Sequence, residues 1–248
     1  IEARADGGSV TLSAADGSMD MQQISIFGKP VWSEQTLTVN GREIPATQNG
    51  WQLLRTNASL PITLSSSMPW QIGFINIERP GRGVTVSAMG INGAQLSQWS
   101  KWRPGMWEDL AQTKADLIIL AYGTNEAFSG NLDISSTERT WRDYIRQIKN
   151  TLPNAGILIL GAPESLKTAY GSCGNRPVLL SEVQQMQQRV ARDEKIMFWS
   201  WQDAMGGACS MKNWMAQGLA AKDGVHFSAQ GYETAADKLA DSLIRFAQ

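Results

Sequence analysis

Residues 116–126 read DLIILAYGTNE. From Leu117 to Leu120 the side chains are apolar without a break. A strand with one wet face alternates apolar and polar residues, so an unbroken run implies a strand covered on both faces. Strands of that kind belong to parallel sheets, whose crossovers are helices. The run ends at Gly123, and Asn125 and Glu126 follow directly.

The same alternation of buried strand and helix extends on both sides. Downstream, residues 137–151 place Trp141, Tyr144, Ile145 and Ile148 at three-to-four spacing, which predicts a helix. GILILG (156–161) reads as a second buried strand, 182–192 as a helix, IMFWSW (196–201) as a strand and 232–246 as a closing amphipathic helix. Upstream, VTVSAM (84–89) is a β-rich run ending at Gly90, and about 94–110 is compatible with a helix. This order predicts an α/β fold with a three-layer α/β/α parallel sheet. Ligands of such sheets sit at the carboxyl ends of the strands. Chemistry is therefore expected just after Met89, Tyr122, Gly161 and Trp201, and before the last helix.

The first seventy or so residues follow a different rule. SVTLS (9–13), QISIF (23–27), TLTVN (36–40), WQLLR (51–55) and LPITL (60–64) alternate with period two, and ADGS, FGKP, VNGRE and TQNG punctuate them. WQIGFINIE (70–78) continues the pattern or bridges out of it. Short alternating strands with turn signals predict an all-β, sandwich-like domain ahead of the α/β one. The expected division is 1–79 and 80–248.

Composition excludes several classes. The 248 residues carry a net charge of −1 with no long run of one sign, so no nucleic-acid partner is expected. No apolar run reaches the roughly 18–20 residues of a membrane span. No cluster of His, Cys, Asp and Glu has metal-ligand spacing, so no metal or cofactor is expected. The 10 tryptophans fit core packing, or sugar stacking on flat rings. Cys173 and Cys209 lie in loop-like stretches and read either as one disulfide, which implies an oxidising compartment such as a periplasm, or as two free thiols. The start at Ile1, without Met or an apolar leader, reads as a cut chain.

Three short motifs carry chemistry. His226 is the sole histidine, with Asp223 three residues earlier and Gly224 between them. In a loop, that spacing lets the carboxylate accept the Nδ1–H and leave Nε2 free to take a proton. The alternative is an ordinary helix start, with Ser228 as N-cap. Asn125, past the strand and Gly123, can aim a neutral amide donor at a developing oxyanion, or can serve as a turn former. Gly90-Ile91-Asn92-Gly93-Ala94 allows close backbone approach and a free N–H, or forms a simple turn.

Taken together and in this order, the motifs resemble the SGNH/GDSL hydrolase superfamily. The resemblance covers about residues 80–248. It implies an oxyanion glycine at Gly93 (Gly90 is the second candidate), an oxyanion Asn125, and the base pair Asp223 and His226. Glu126 stands where many members have Asp. ILILGAPESLK, RPVLLSEVQQMQQRVAR, MFWSWQDAMGGACSMKNW and GLAAKDGVHFSAQGY further resemble the bacterial peptidoglycan O-acetylesterases. That resemblance implies a serine esterase that removes acetyl groups from the 6-hydroxyl of muramic acid in O-acetylated cell-wall glycan. It also implies a periplasmic or cell-envelope location reached through a removed signal peptide. A carbohydrate-binding-like β-domain, residues 1–79 in whole or part, would be inserted between the serine block and the rest.

The family's Gly-Asp-Ser block is not found. Asp16-Gly17-Ser18 has the residues in another order and in β-patterned sequence. Ser165, after a buried strand, is better placed but matches no serine role of the family. The expectation is a nucleophile on an upstream segment outside this chain, which alone would be inactive. Two rivals stay open: an acetyltransferase built from the same residues, and a non-catalytic carbohydrate-binding protein.

Overall fold

The structure, a computed structural model, describes residues 8–32, 35–102 and 104–246. The chain divides into two compact units, Ile1–Met89 and Gly90–Gln248.

In the first unit the described strands are β1 (Gly8–Leu12), β2 (Met21–Pro30), β3 (Thr36–Val39), β4 (Arg42–Pro45), β5 (Gln52–Ser59), β6 (Ile62–Ser66) and β7 (Trp70–Glu78). They form two antiparallel sheets, ordered β1-β6-β3-β4 and β5-β2-β7. Alternate residues point to one face of each strand. Leu37, Val39, Ile62 and Leu64 from one sheet therefore meet Ile24, Ile26, Leu54 and Trp70 from the other in a single buried cluster. The period-two pattern is the imprint of that sandwich. Strand β4 falls within and just past VNGRE, which reads as a turn. It pairs with β3 but buries almost nothing, so it leaves no alternation to read.

The second unit begins with a 3-10 segment, Leu96–Lys101. It continues through α1 (Met106–Thr113), β8 (Leu117–Leu120), α2 (Thr124–Phe128), α3 (Ile134–Thr151), β9 (Gly156–Leu160) and α4 (Leu180–Asp193). It closes with β10 (Met197–Trp199), α5 (Trp201–Met205), α6 (Met211–Ala216) and α7 (Ala229–Phe246). The strands run parallel in the order β10-β9-β8. In β9 the successive residues Ile157, Leu158 and Ile159 are all buried, so both faces of the sheet are covered, as an α/β/α fold requires. Ile157 and Ile159 pack with Trp141, Ile145 and Ile148 of α3 and with Met186 and Val190 of α4. A second cluster joins Leu166, Met205, Met211, Trp214, Phe227 and Ala235. Among the described residues no helix is long and apolar enough to cross a membrane.

Two expectations are corrected. Residues 84–89 form no strand, and Val84 and Val86 are 92% and 86% exposed. β-propensity is largely a matter of packing against neighbours, and no described strand pairs with this run. The stretch about 94–110 is not one helix: the 3-10 segment and α1 are separated at Pro104-Gly105, where proline cannot continue a helical ladder. Other helices start early because of caps. Asp133 accepts the Ser135 N–H and starts α3, and Ser228 Oγ accepts the Gly231 N–H ahead of α7.

Candidate active site

The Asp–His turn immediately precedes α7. Asp223 Oδ1 accepts the backbone N–H groups of Val225 at 2.8 Å and His226 at 3.0 Å. The same carboxylate thereby folds back, and its Oδ2 lies 2.7 Å from His226 Nδ1. This is the arrangement in which the acid accepts the Nδ1–H and fixes the tautomer. No hydrogen bond from a described residue reaches Nε2. The imidazole first, then the two N–H groups, hold the Asp223 carboxyl down from its usual 3.8 to about 2. Both side chains face solvent, at 73% exposure for His226 and 49% for Asp223. Ser228 serves as the helix cap at the same time, so the two readings of this loop coexist.

The amide half is built where β8 ends. Gly123 has φ of 123°, and a Cβ there would stand 2.7 Å from Gln187 Nε2 and 2.8 Å from Ala162 Cβ. Glycine is what that approach admits. Gln187, fully buried, donates to Tyr122 O at 2.7 Å and accepts the Ala162 N–H at 2.8 Å, which ties the carboxyl ends of β8 and β9 together. Asn125 follows, and its Nδ2 donates one hydrogen to Ala94 O at 3.0 Å. Gln95 Nε2 donates in return to Asn125 O at 3.2 Å. Gly93, next to Ala94, is exposed, and its N–H makes no hydrogen bond to any described residue. Gly90 takes no part in these bonds.

Glu126, 1% exposed, holds the two turns in register. Its Oε1 accepts the Leu96 N–H and its Oε2 the Gly123 N–H, each at 2.9 Å. Burial raises its pKa against the opposing pull of these backbone bonds. The side chain that departs from the commoner Asp thus bridges the Gly93 turn and the Asn125 turn.

The structure joins Asn125 to Ala94, the neighbour of Gly93, and Asp223 to His226. Among the described residues no hydrogen bond joins the two pairs directly. Ser165 is fully buried and its Oγ has no hydrogen-bond partner, so a substrate cannot reach it. Asp16-Gly17-Ser18 is a turn, with the Ser18 N–H on Asp16 Oδ1 at 3.0 Å. Cys173 and Cys209 are disulfide-bonded, with Cα atoms 4.8 Å apart across 36 residues of chain. Gln187, Glu164 and Arg176 were not singled out in the sequence. The available signal was positional: Glu164, like Glu126, is an acid just past a buried strand.

A parallel α/β/α sheet thus carries an Asp–His contact and an amide-bearing turn past the end of β8. The chain belongs to the GDSL-like Lipase/Acylhydrolase family, whose sequence pattern matches residues 73–234. A solved structure of a peptidoglycan O-acetylesterase is 63% identical to it, with a TM-score of 0.94 over 99% of this chain and 70% of that one. An acetyl xylan esterase is 16% identical, with a TM-score of 0.49 over 62% of this chain and 78% of that one. No curated protein matches the chain.

Proposed function

We propose that this chain is the larger part of a peptidoglycan O-acetylesterase whose nucleophilic serine lies on an upstream Gly-Asp-Ser segment. The observation that carries the reading is the 2.7 Å contact of Asp223 Oδ2 with His226 Nδ1, on an exposed ring whose Nε2 takes no hydrogen bond from the described residues. The identity of 63% with a peptidoglycan O-acetylesterase supports the substrate.

In this mechanism Nε2 takes the proton of the serine hydroxyl as the oxygen attacks the acetyl carbonyl. The oxyanion is met by the Gly93 N–H, the uncommitted hydrogen of the Asn125 amide and the serine's own N–H. His226 then gives the proton to the departing sugar oxygen. Water, deprotonated by the same nitrogen, releases acetate from the acetyl-serine. Asp223 orients the ring and favours its protonated form throughout.

The free side of β8 supports a missing strand. In the described sheet β8 pairs with β9 alone, and its Ile119 is 42% exposed. An apolar edge of this kind is a template for another strand. For residues 1–79 we propose a carbohydrate-binding-like domain. Trp51 and Phe74, both half-buried, stack on the buried Phe27 at 5.0 and 5.3 Å, with Lys29 over the indole, and the exposed parts of these two rings are what the domain could offer a sugar. The disulfide supports a periplasmic or envelope location reached by secretion.

The test is acetate release from O-acetylated peptidoglycan by the whole protein and its His226→Ala variant. Loss of a triad histidine costs about 10⁶-fold in kcat, and that loss is expected here. An unchanged rate in the folded variant overturns the assignment.

A further inference from the structure

Among the described residues two acids are buried, Glu126 and Glu164. The mechanism accounts for the first. Glu164, 0% exposed, sits four residues past β9 in the run that leaves the sheet edge. Its carboxylate gathers three separate segments. Arg176 approaches Oε1 through Nε at 2.6 Å and donates to Oε2 through Nη2 at 3.2 Å. Gln202 of α5 donates to Oε2 at 2.6 Å, and the Cys209 N–H to Oε1 at 3.3 Å. The Cys173–Cys209 disulfide then joins two of the same segments covalently.

Two residues further on, Leu166 is fixed against the Asp–His turn. Its N–H donates to Gly224 O at 2.8 Å. Its side chain fills the space beside two glycines. A Cβ on Gly224 would stand 3.0 Å from Leu166 Cβ, and one on Gly174 would stand 2.6 Å from Leu166 Cδ1. Gly224 lies between Asp223 and His226, so the peptide that sets their separation rests on Leu166. A buried ion pair adds little net stability over apolar packing of equal volume, because desolvation offsets the attraction. What it does well is hold a geometry.

We infer that Glu164 is a positioning residue for the Asp223–His226 pair: with Arg176 and the Cys173–Cys209 disulfide it fixes Leu166, and Leu166 fixes the Gly224 peptide. Its catalytic consequence rests on the function proposed above. A displacement on the scale of 1 Å at a reacting group costs about 10²-fold in rate, so a loosened clamp lowers kcat and leaves KM alone.

The experiment uses the whole protein and two readouts: the far-downfield proton NMR signal of the His226 Nδ1–H, assigned by its loss in His226→Ala, and kcat and KM on a small acetyl ester. Glu164→Gln keeps the shape but removes the charge that faces Arg176. The expected result is a broadened or lost Nδ1–H signal, with kcat down about 10²-fold at unchanged KM and an unchanged far-ultraviolet circular dichroism spectrum. If Glu164→Gln does not fold, the Cys173→Ser/Cys209→Ser double variant carries the test, with the same signal loss expected. An intact signal with unchanged kcat, or a raised KM with an intact signal, in the folded variant overturns the inference. Failure of the proposed function shows separately, as full activity in His226→Ala, while the Nδ1–H response to Glu164→Gln stays readable.

Discussion

Asp223 and His226 are joined across three residues of chain and stand largely in solvent. The Gly93–Leu96 and Gly123–Asn125 stretches are joined by the Asn125–Ala94 bond and by the buried Glu126, which reaches across 30 residues to Leu96. The first pair is made locally: one carboxylate closes its own turn and catches the ring in the same loop. The second is made by the fold, because nothing in the Gly123–Glu126 turn can place the Gly93 turn until β8 and the 3-10 segment have packed. The electrostatics follow the same division. The His226 imidazole and two backbone N–H groups keep Asp223 ionised, whereas burial pushes Glu126 toward its neutral form. One acid acts through its charge and the other through its reach.

The contrast can be broken first at Asp223. Asp223→Asn keeps a side chain of the same size but offers the ring an amide, which favours the wrong tautomer. A kcat about 10⁴-fold lower is expected, with the backbone turn retained, measured by steady-state kinetics on an acetyl ester. Retained activity would mean that the carboxylate is only a turn former.

At Glu126 the effect is smaller because the residue touches no reacting atom. Glu126→Gln keeps one acceptor oxygen and sets an NH₂ against the other backbone N–H, so either Leu96 or Gly123 is released. A fall in kcat of about 10²-fold is expected, with KM unchanged. A variant with normal kcat would show that the two turns hold their places without the clamp.

The smallest effect sharpens the comparison through stability. The Asp223 carboxyl is depressed from 3.8 to about 2, so the folded state binds its proton less tightly than the unfolded chain does. Its contribution is present above the ordinary carboxylate value and is lost as the pH falls toward about 2. Glu126 is shifted the other way. The folded state holds its proton more tightly, and its contribution is lost as the pH rises above the usual 4.5. Melting temperature against pH should therefore lose part of its acid-side fall in Asp223→Asn and part of its decline above that value in Glu126→Gln. Parallel curves for both variants and the parent would remove the electrostatic difference between the halves.

The same division decides what could be read from sequence. Asp223, Gly224 and His226 were legible because their chemistry lies within one turn. The parallel sheet was legible because burial on both faces writes unbroken apolar runs such as 157–159, whereas the equally apolar run 117–120 leaves Ile119 exposed and is not covered on both faces as its sequence implied. What escaped depends on distant partners. Gln187 and Glu126 hold backbone groups 25 to 65 residues away, and no local spacing encodes that. The run at 84–89 misled for a related reason. Its composition is that of a strand, but a strand also needs a neighbour, and the described chain provides none.

In the proposed mechanism Asp223 and His226 serve a serine from outside these 248 residues. Labelling the whole protein with a fluorophosphonate, then mapping the modified peptide by mass spectrometry, tests it most directly. One modified serine is expected, in a Gly-Asp-Ser peptide upstream of Ile1, with labelling abolished in His226→Ala. A label on Ser165, or on any other serine of this chain, would contradict it.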